Sequence, residues 1–211
     1  MRSLVALSFL LASSGMVAAP VAYTLDPNHT QVQFNWNHLQ YSTPEAGFDS
    51  VTGTLAWDAD DITKSSVDVT IAVDSVHSHI AVLDAKLKSA EFLDAQRYPT
   101  IYFVSTGVKR LDDSGNLQIS GNLTVHGTTK PISLDAHLNR VGVYPMLEVP
   151  AAGFSASAVI KRSEFGVGEG IPFVGDELKV HITAEALEAV GFAKAMKAFA
   201  AKSEATQGKQ P

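Results

Sequence analysis

His77 and His79 are the closest pair of imidazoles in the chain. Two positions apart on an extended strand, they can share one face, as zinc ligands often do. A zinc site needs a third ligand and usually a fourth. The remaining histidines, His29, His38, His126, His137 and His181, are scattered. Surface or capping roles therefore fit these residues better, and no metal site is expected. The chain has no cysteine, which excludes thiol catalysis and thiolate-held metals.

Other candidate chemistry is equally thin. Gly153-Phe-Ser-Ala-Ser157 lacks the last glycine of a nucleophile elbow. Gly166-Val-Gly-Glu-Gly170 does not have phosphate-loop spacing and lies between strand patterns. It reads as a flexible hairpin loop. The pairs Asp60-Asp61 and Asp112-Asp113 sit in turn sequences, where aspartate bonds its own backbone. Among the histidines, His38 alone shares a register with apolar residues.

That register belongs to HTQVQFNWNHL. Thr30, Val32, Phe34, Trp36 and His38 alternate with Gln31, Gln33, Asn35 and Asn37, a period of two that marks a strand with one apolar face. The same alternation recurs over residues 51–57, 65–76, 117–125, 132–138 and 178–185, with further strands around 100–109 and 154–162 and a short one at 21–25. Turn sequences at Asp58–Asp61, Asp112–Gly115 and His126–Thr129 separate them. Eight or nine antiparallel strands in one domain follow. One segment breaks the pattern: Ile80, Leu83, Leu87 and Ala90 fall at helical spacing, with Ser78 as N-cap and Pro99 beyond the end. The spacing predicts a helix of about three turns. A second helix is expected from Val190, carrying Phe192, Met196 and Phe199 among Lys194, Lys197 and Lys202. The final SEATQGKQP reads as disordered.

Residues 1–19 have a basic Arg2, a short apolar run and then small residues, the order of a secretory signal peptide, with cleavage expected between positions 18 and 22. Residues 20–188 then form the β domain and 189–211 a basic tail. The net charge of -6 and the lack of a Lys/Arg cluster exclude a nucleic-acid surface. No apolar run reaches the length that spans a bilayer as a helix.

Short strands with one apolar face must stack as two sheets or close into a barrel. An outer-membrane barrel would turn that face to lipid. The aromatics form no girdles at both strand ends, a helix interrupts the strands, and the chain ends in a polar tail. The apolar face therefore points inward. In one inward set, Phe154, Ala156, Ala158 and Ile160, two members are small, and Gly53 and Gly121 sit in apolar register elsewhere. Small residues facing a barrel axis leave space unless neighbours lean in. On these grounds alone, a filled barrel and a cavity are equally supported.

Several pieces together resemble the YceI-like family of secreted polyisoprenoid-binding proteins. They are LDPNHTQVQFNWNHL, GFDSVTGTLAWD, LDAKLKSAEFLDAQRYPTIYFVS, ISGNLTVHGTTKPISLDAHL and FSASAVIKRSEFGVGEGIPFVGDELKVHITAEA, and they cover nearly everything from Tyr23 to Leu187. The resemblance implies an all-β fold, an eight-stranded antiparallel lipocalin-like barrel, to which the spacing above adds one interrupting α-helix and a short C-terminal helix. It also implies an elongated apolar cavity, a periplasmic location, links to stress responses, and long amphiphilic lipids, isoprenoid chains among them, as ligands. No cofactor and no catalysis are expected. Two features depart: many relatives carry histidine where this chain has Lys86, and the tail past Leu187 has no counterpart.

The cavity wall expected on this reading is Phe34, Trp36, Phe48, Leu55, Trp57, Val69, Ile71, Phe103, Leu123, Val125, Phe154 and Ile160, with Leu83 and Leu87 of the helix closing one end. His29, Lys86, Arg97 and Arg162 are candidates, by position, for holding a head group. Moving about ten methylenes out of water gains roughly 8 kcal/mol gross, part of which ordering a flexible chain consumes. Two alternatives stay in view: a lipid-modifying enzyme using His38 in the same cavity, and a protein-interaction module with a filled barrel. The basic tail could touch anionic membrane lipid, and exposed barrel strands leave a homodimer open.

Overall fold

The computed structural model describes residues 19–207, with side chains through Lys202. The expected leader lies outside the described residues except for Ala19. The alternating stretches form eleven antiparallel strands. These are β1 (Val21–Leu25), β2 (Gln31–Asn35), β3 (Glu45–Phe48), β4 (Val51–Trp57), β5 (Ser66–Ala72), β6 (Val76–His77), β7 (Thr100–Arg110), β8 (Asn116–Val125), β9 (Thr128–Tyr144), β10 (Val149–Lys161) and β11 (Glu177–Glu188).

Their pairing reduces eleven strands to eight staves. β1 pairs with β4 and β2 with β3, so β1 and β2 are two halves of one stave, and β3 and β4 of the next. β5 and β6 form a third, pairing with β4 and β3 respectively. From β5 the ladder runs through β7, β8, β9 and β10 to β11. β11 then closes the ring, with Leu25 opposite Ala186 on β1 and Phe34 opposite Val180 on β2. The result is a closed eight-stranded antiparallel barrel.

Local polar chemistry makes the breaks. At the first, the Asp26 carboxylate accepts the Asn28 N–H at 2.9 Å, an Asx turn that takes the chain out of pleat. At the third, the Ser75 hydroxyl donates to the Ala72 carbonyl at 2.6 Å and accepts the Ser50 N–H at 3.0 Å. One side chain thus fixes two adjacent kinks.

The helices differ from expectation in extent. α1 is Ala81–Lys88, shorter than three turns, and Ile80 occupies the N-cap position without a side-chain bond. Ser78 instead donates its N–H and its hydroxyl to Asp84 Oδ1, both at 2.6 Å. His79, at φ 63°, turns the chain between them. Ser89 ends the helix, its hydroxyl donating to the Lys86 carbonyl at 2.7 Å, so Ala90 lies outside. α2 spans Ala189–Gln207, so the backbone of residues 203–207, expected to be disordered, continues the helix. Its start is fixed by the Glu188 carboxylate, which accepts the N–H groups of Val190 and Gly191 at 3.0 and 2.7 Å.

Inward side chains gather in two clusters. Phe34, Trp36 and Phe48 anchor one, with Phe34 ring centroids 5.7 Å from Trp36 and 5.6 Å from Phe48. Tyr23, Leu25, Leu55, Trp57 and Leu117 build the other. The space beside Gly53 and Gly121 is not open. Leu25 and Phe103 lean across them, so a Cβ on Gly53 would lie 2.8 Å from Leu25 Cδ1 and one on Gly121 would collide with the Phe103 ring.

Candidate functional site

Between and around these clusters the barrel encloses a cavity of about 580 Å³. That is the size of a site for one small-molecule ligand and too large for a packing flaw. Each stave contributes every second residue. Phe34 and Trp36, Phe48, Leu55 and Trp57, Val69 and Ile71, Phe103, Leu123 and Val125, and Phe154 and Ile160 all border it, and Leu83 and Leu87 of α1 cover one end. The same faces add wall residues that were not singled out from sequence, among them Leu25, Thr30, Val32, Val51 and Ile182. Period two already contained them.

A second group had no such signal. Phe165, Val167 and Val174 reach the cavity from the connection between β10 and β11. This segment is not a flexible loop. Arg162, only 5% exposed, donates from Nε to the Gly175 carbonyl (2.9 Å), from Nη1 to Val167 (2.7 Å) and from Nη2 to Val174 (2.8 Å). Burial pulls its pKa down, against the pull of Asp176 and Glu169. Arg162 thus borders the cavity, but its guanidinium is engaged in holding the segment over the barrel end.

The other head-group candidates divide. Lys86 stands exposed at the cavity edge, paired with Glu91 and 5.5 Å above the Phe92 ring. Arg97 is exposed, lies over the Tyr98 ring and does not border the cavity. His29 borders a separate, shallower recess with Asn28, Asn139, Arg140 and Glu185. His38 lines the cavity from an exposed position at the rim, bridging to Ser42 and Val174.

Outside the cavity, the His77 and His79 rings meet edge to face with centroids 5.0 Å apart, and His77 Nδ1 lies 3.2 Å from Asp49 Oδ1. Among the described residues, the one trio of potential metal ligands is elsewhere: Asp26, His29 and Glu185. His29 Nδ1 is 2.7 Å from Asp26 Oδ2 and 4.0 Å from Glu185 Oε2. The His29–Asp26 contact already engages two of the atoms an ion would need. The hydrogen bond that His29 donates to Asp26 raises its pKa, with charge effects from Asp26 and Glu185 in the same direction and burial opposing.

A closed eight-stranded barrel with an apolar interior, kinked in its first three staves and covered at one end by α1, has counterparts among known proteins. The model of the YceI-like domain matches residues 23–186. The chain belongs to the YceI-like family. A YceI-like relative, a UPF0312 protein of Pectobacterium atrosepticum, is 34% identical over 183 residues, covering 87% of this chain and 94% of that one. BcnA of Burkholderia cenocepacia superposes with a TM-score of 0.69 at 21% identity, over 76% of this chain and 98% of BcnA. A polyisoprenoid binding domain from Saccharophagus degradans gives 0.62 at 14% identity, over 80% and 99%. At these identities the two solved structures establish the YceI-like fold.

Proposed function

We propose that this YceI-like protein binds a long amphiphilic, isoprenoid-like lipid in its barrel, and carries or stores it in the periplasm without transforming it. The observation that carries the reading is the 580 Å³ cavity with its almost wholly apolar wall. Left empty, so large an apolar space deprives its lining of the packing contacts that a protein interior normally makes. Water is a poor filler, because each molecule needs two or more polar partners. An apolar chain suits the volume and the wall. The likeness to a polyisoprenoid binding domain supports the same ligand class.

The rim supports transfer. Leu39 and Tyr41 follow β2, Ile80 and Val82 precede and open α1, and Ile171 and Phe173 sit in the Arg162-held segment; all six are exposed. Each pair adjoins residues that line the cavity, and the Leu39 N–H donates to the Phe173 carbonyl at 2.8 Å. Such a rim would let a lipid pass between bilayer and barrel without crossing water. At α2, Val190, Met196 and Phe199 are exposed beside Lys194 and Lys197, a second surface suited to anionic lipid. The enzyme reading is less well supported, since among the described residues no carboxylate lines the cavity and His38 stands at the exposed rim.

Native protein is expected to release an apolar species on organic extraction, identifiable by mass spectrometry. Recovery of no lipid, together with failure to bind any long-chain amphiphile offered to it, defeats the reading. Fractionation of the source cells tests the compartment, with the mature chain expected in the periplasmic fraction.

A further inference from the structure

α2 leaves the barrel at the end away from the rim. β11 starts beside the end of β2, where Lys179 faces Asn35, and finishes beside the start of β1, where Glu188 faces Tyr23. The rim residues Leu39, Tyr41, Ile171 and Phe173 follow β2 or precede β11, whereas α2 follows β11. The 12 residues of β11 lie between the two surfaces, about 30 Å of tilted strand.

The helix meets the barrel at β1, β10 and β11, and Gly191 sits so close to the wall that a Cβ there would lie 2.8 Å from Val149 Cγ1. Beyond that point it stands off. From Ala193 to Lys202 every side chain but that of Ala195 is exposed. Phe192, Met196 and Phe199 fall on one narrow stripe of the helix, and Lys194 and Lys197 project from the opposite side. Met196 is 43% and Phe199 69% exposed. Residues 189–203 hold three lysines and no acid, in a chain whose net charge is -6.

An apolar stripe left in water calls for a partner. A second copy of the helix does not suit this one. Ser203 and Thr206 stand at the positions that would continue the stripe, and a helix-to-helix seam needs three or more heptads of apolar residues. A bilayer surface asks for less. A few apolar side chains enter the interface while cations on the same helix meet lipid phosphates. Because the chain as a whole is acidic, an anionic bilayer repels it generally, and the lysines of α2 decide which end approaches.

We propose that α2 lies on an anionic bilayer and holds the barrel there by its closed end, so that the rim faces away and engages a second bilayer. The role given to the rim rests on the lipid-binding reading; the seat of α2 does not.

The test floats the purified protein with phosphatidylcholine vesicles, with and without phosphatidylglycerol, and reads vesicle clustering by light scattering. Wild type is expected to prefer the phosphatidylglycerol vesicles, to lose that preference in high salt, and to cluster them. Lys194→Glu combined with Lys197→Glu should weaken binding about thirtyfold, the worth of two lysines at a membrane surface. Tyr41→Ser combined with Phe173→Ser should still float but no longer cluster vesicles. All four positions are exposed, and unchanged melting temperatures would show that the variants remain folded. Equal binding to both kinds of vesicle, a preference that survives the lysine reversal, or wild-type protein that floats without clustering overturns the proposal. So does a wild-type dimer that Met196→Ser with Phe199→Ser dissociates, because a second copy would then cover the stripe. Failure of the lipid-binding reading looks different: vesicles still cluster, but organic extraction recovers no lipid from the protein.

Discussion

His29 Nδ1 and Asp26 Oδ2 are 2.7 Å apart across the break that divides the first stave, and Asp26 is only 5% exposed. The pair is strongest with the imidazole protonated, because the bond to Asp26 raises the His29 pKa above its ordinary 6.5. Its contribution to stability is fully present below about pH 6.5 and is lost as pH rises through the higher folded value. His29→Gln should flatten this part of the profile. Melting temperatures measured from about pH 5 to about pH 9 check it; parallel wild-type and variant curves would remove the pair from the account.

Arg162 makes a second prediction. Arg162→Lys keeps the charge but cannot serve three diverging carbonyls with a single ammonium. Denaturant unfolding should show a loss of about 3 kcal/mol. Hydrogen exchange should quicken across residues 163–176, which Arg162 spans through Val167, Val174 and Gly175.

Gly121 tests how the wall is filled. A methyl group there meets the Phe103 ring from one side and lies 2.7 Å from the Val104 carbonyl. Because the carbonyl belongs to the paired strand, only the ring can give way. Gly121→Ala should cost about 1–3 kcal/mol by overpacking and should alter ligand affinity by moving Phe103, while a neutral result would mean that the ring has room to turn.

Ala156 tests the cavity itself. It borders the cavity between Ala136 of β9 and Ile182 of β11. Ala156→Phe places an aromatic ring into open volume, so stability should change by less than about 1 kcal/mol. Lipid recovered on extraction should fall on the order of tenfold. A folded variant that retains its full load would show that the ligand lies elsewhere.

The wall was legible because side-chain direction on a strand depends on parity alone. Phe34 and Trp36 face the same way whichever strands flank them, and the inward choice followed from the chain as a whole. What parity does not encode was missed or misread. Phe165, Val167 and Val174 lie in an aperiodic segment, and they reach the cavity because Arg162 gathers carbonyls several residues away. The glycines at positions 53 and 121 suggested space, but Leu25 and Phe103 occupy it from neighbouring strands. Position near the expected mouth of the barrel suggested Arg97 for a head group. The turn in which the Asp94 carbonyl accepts the N–H groups of Arg97 and Tyr98 leaves it exposed, away from the cavity.

β11 pairs with both halves of the first stave, so the ring is completed by the last strand meeting the first. Until β11 is available, β1 and β10 are both raw edges, and every apolar face opens onto solvent. The molecule therefore cannot close progressively as it is synthesised. Closure is a late event that joins residues far apart in the chain, which makes for slow folding. Under the proposed periplasmic location, such delay would keep the chain unfolded while it is exported.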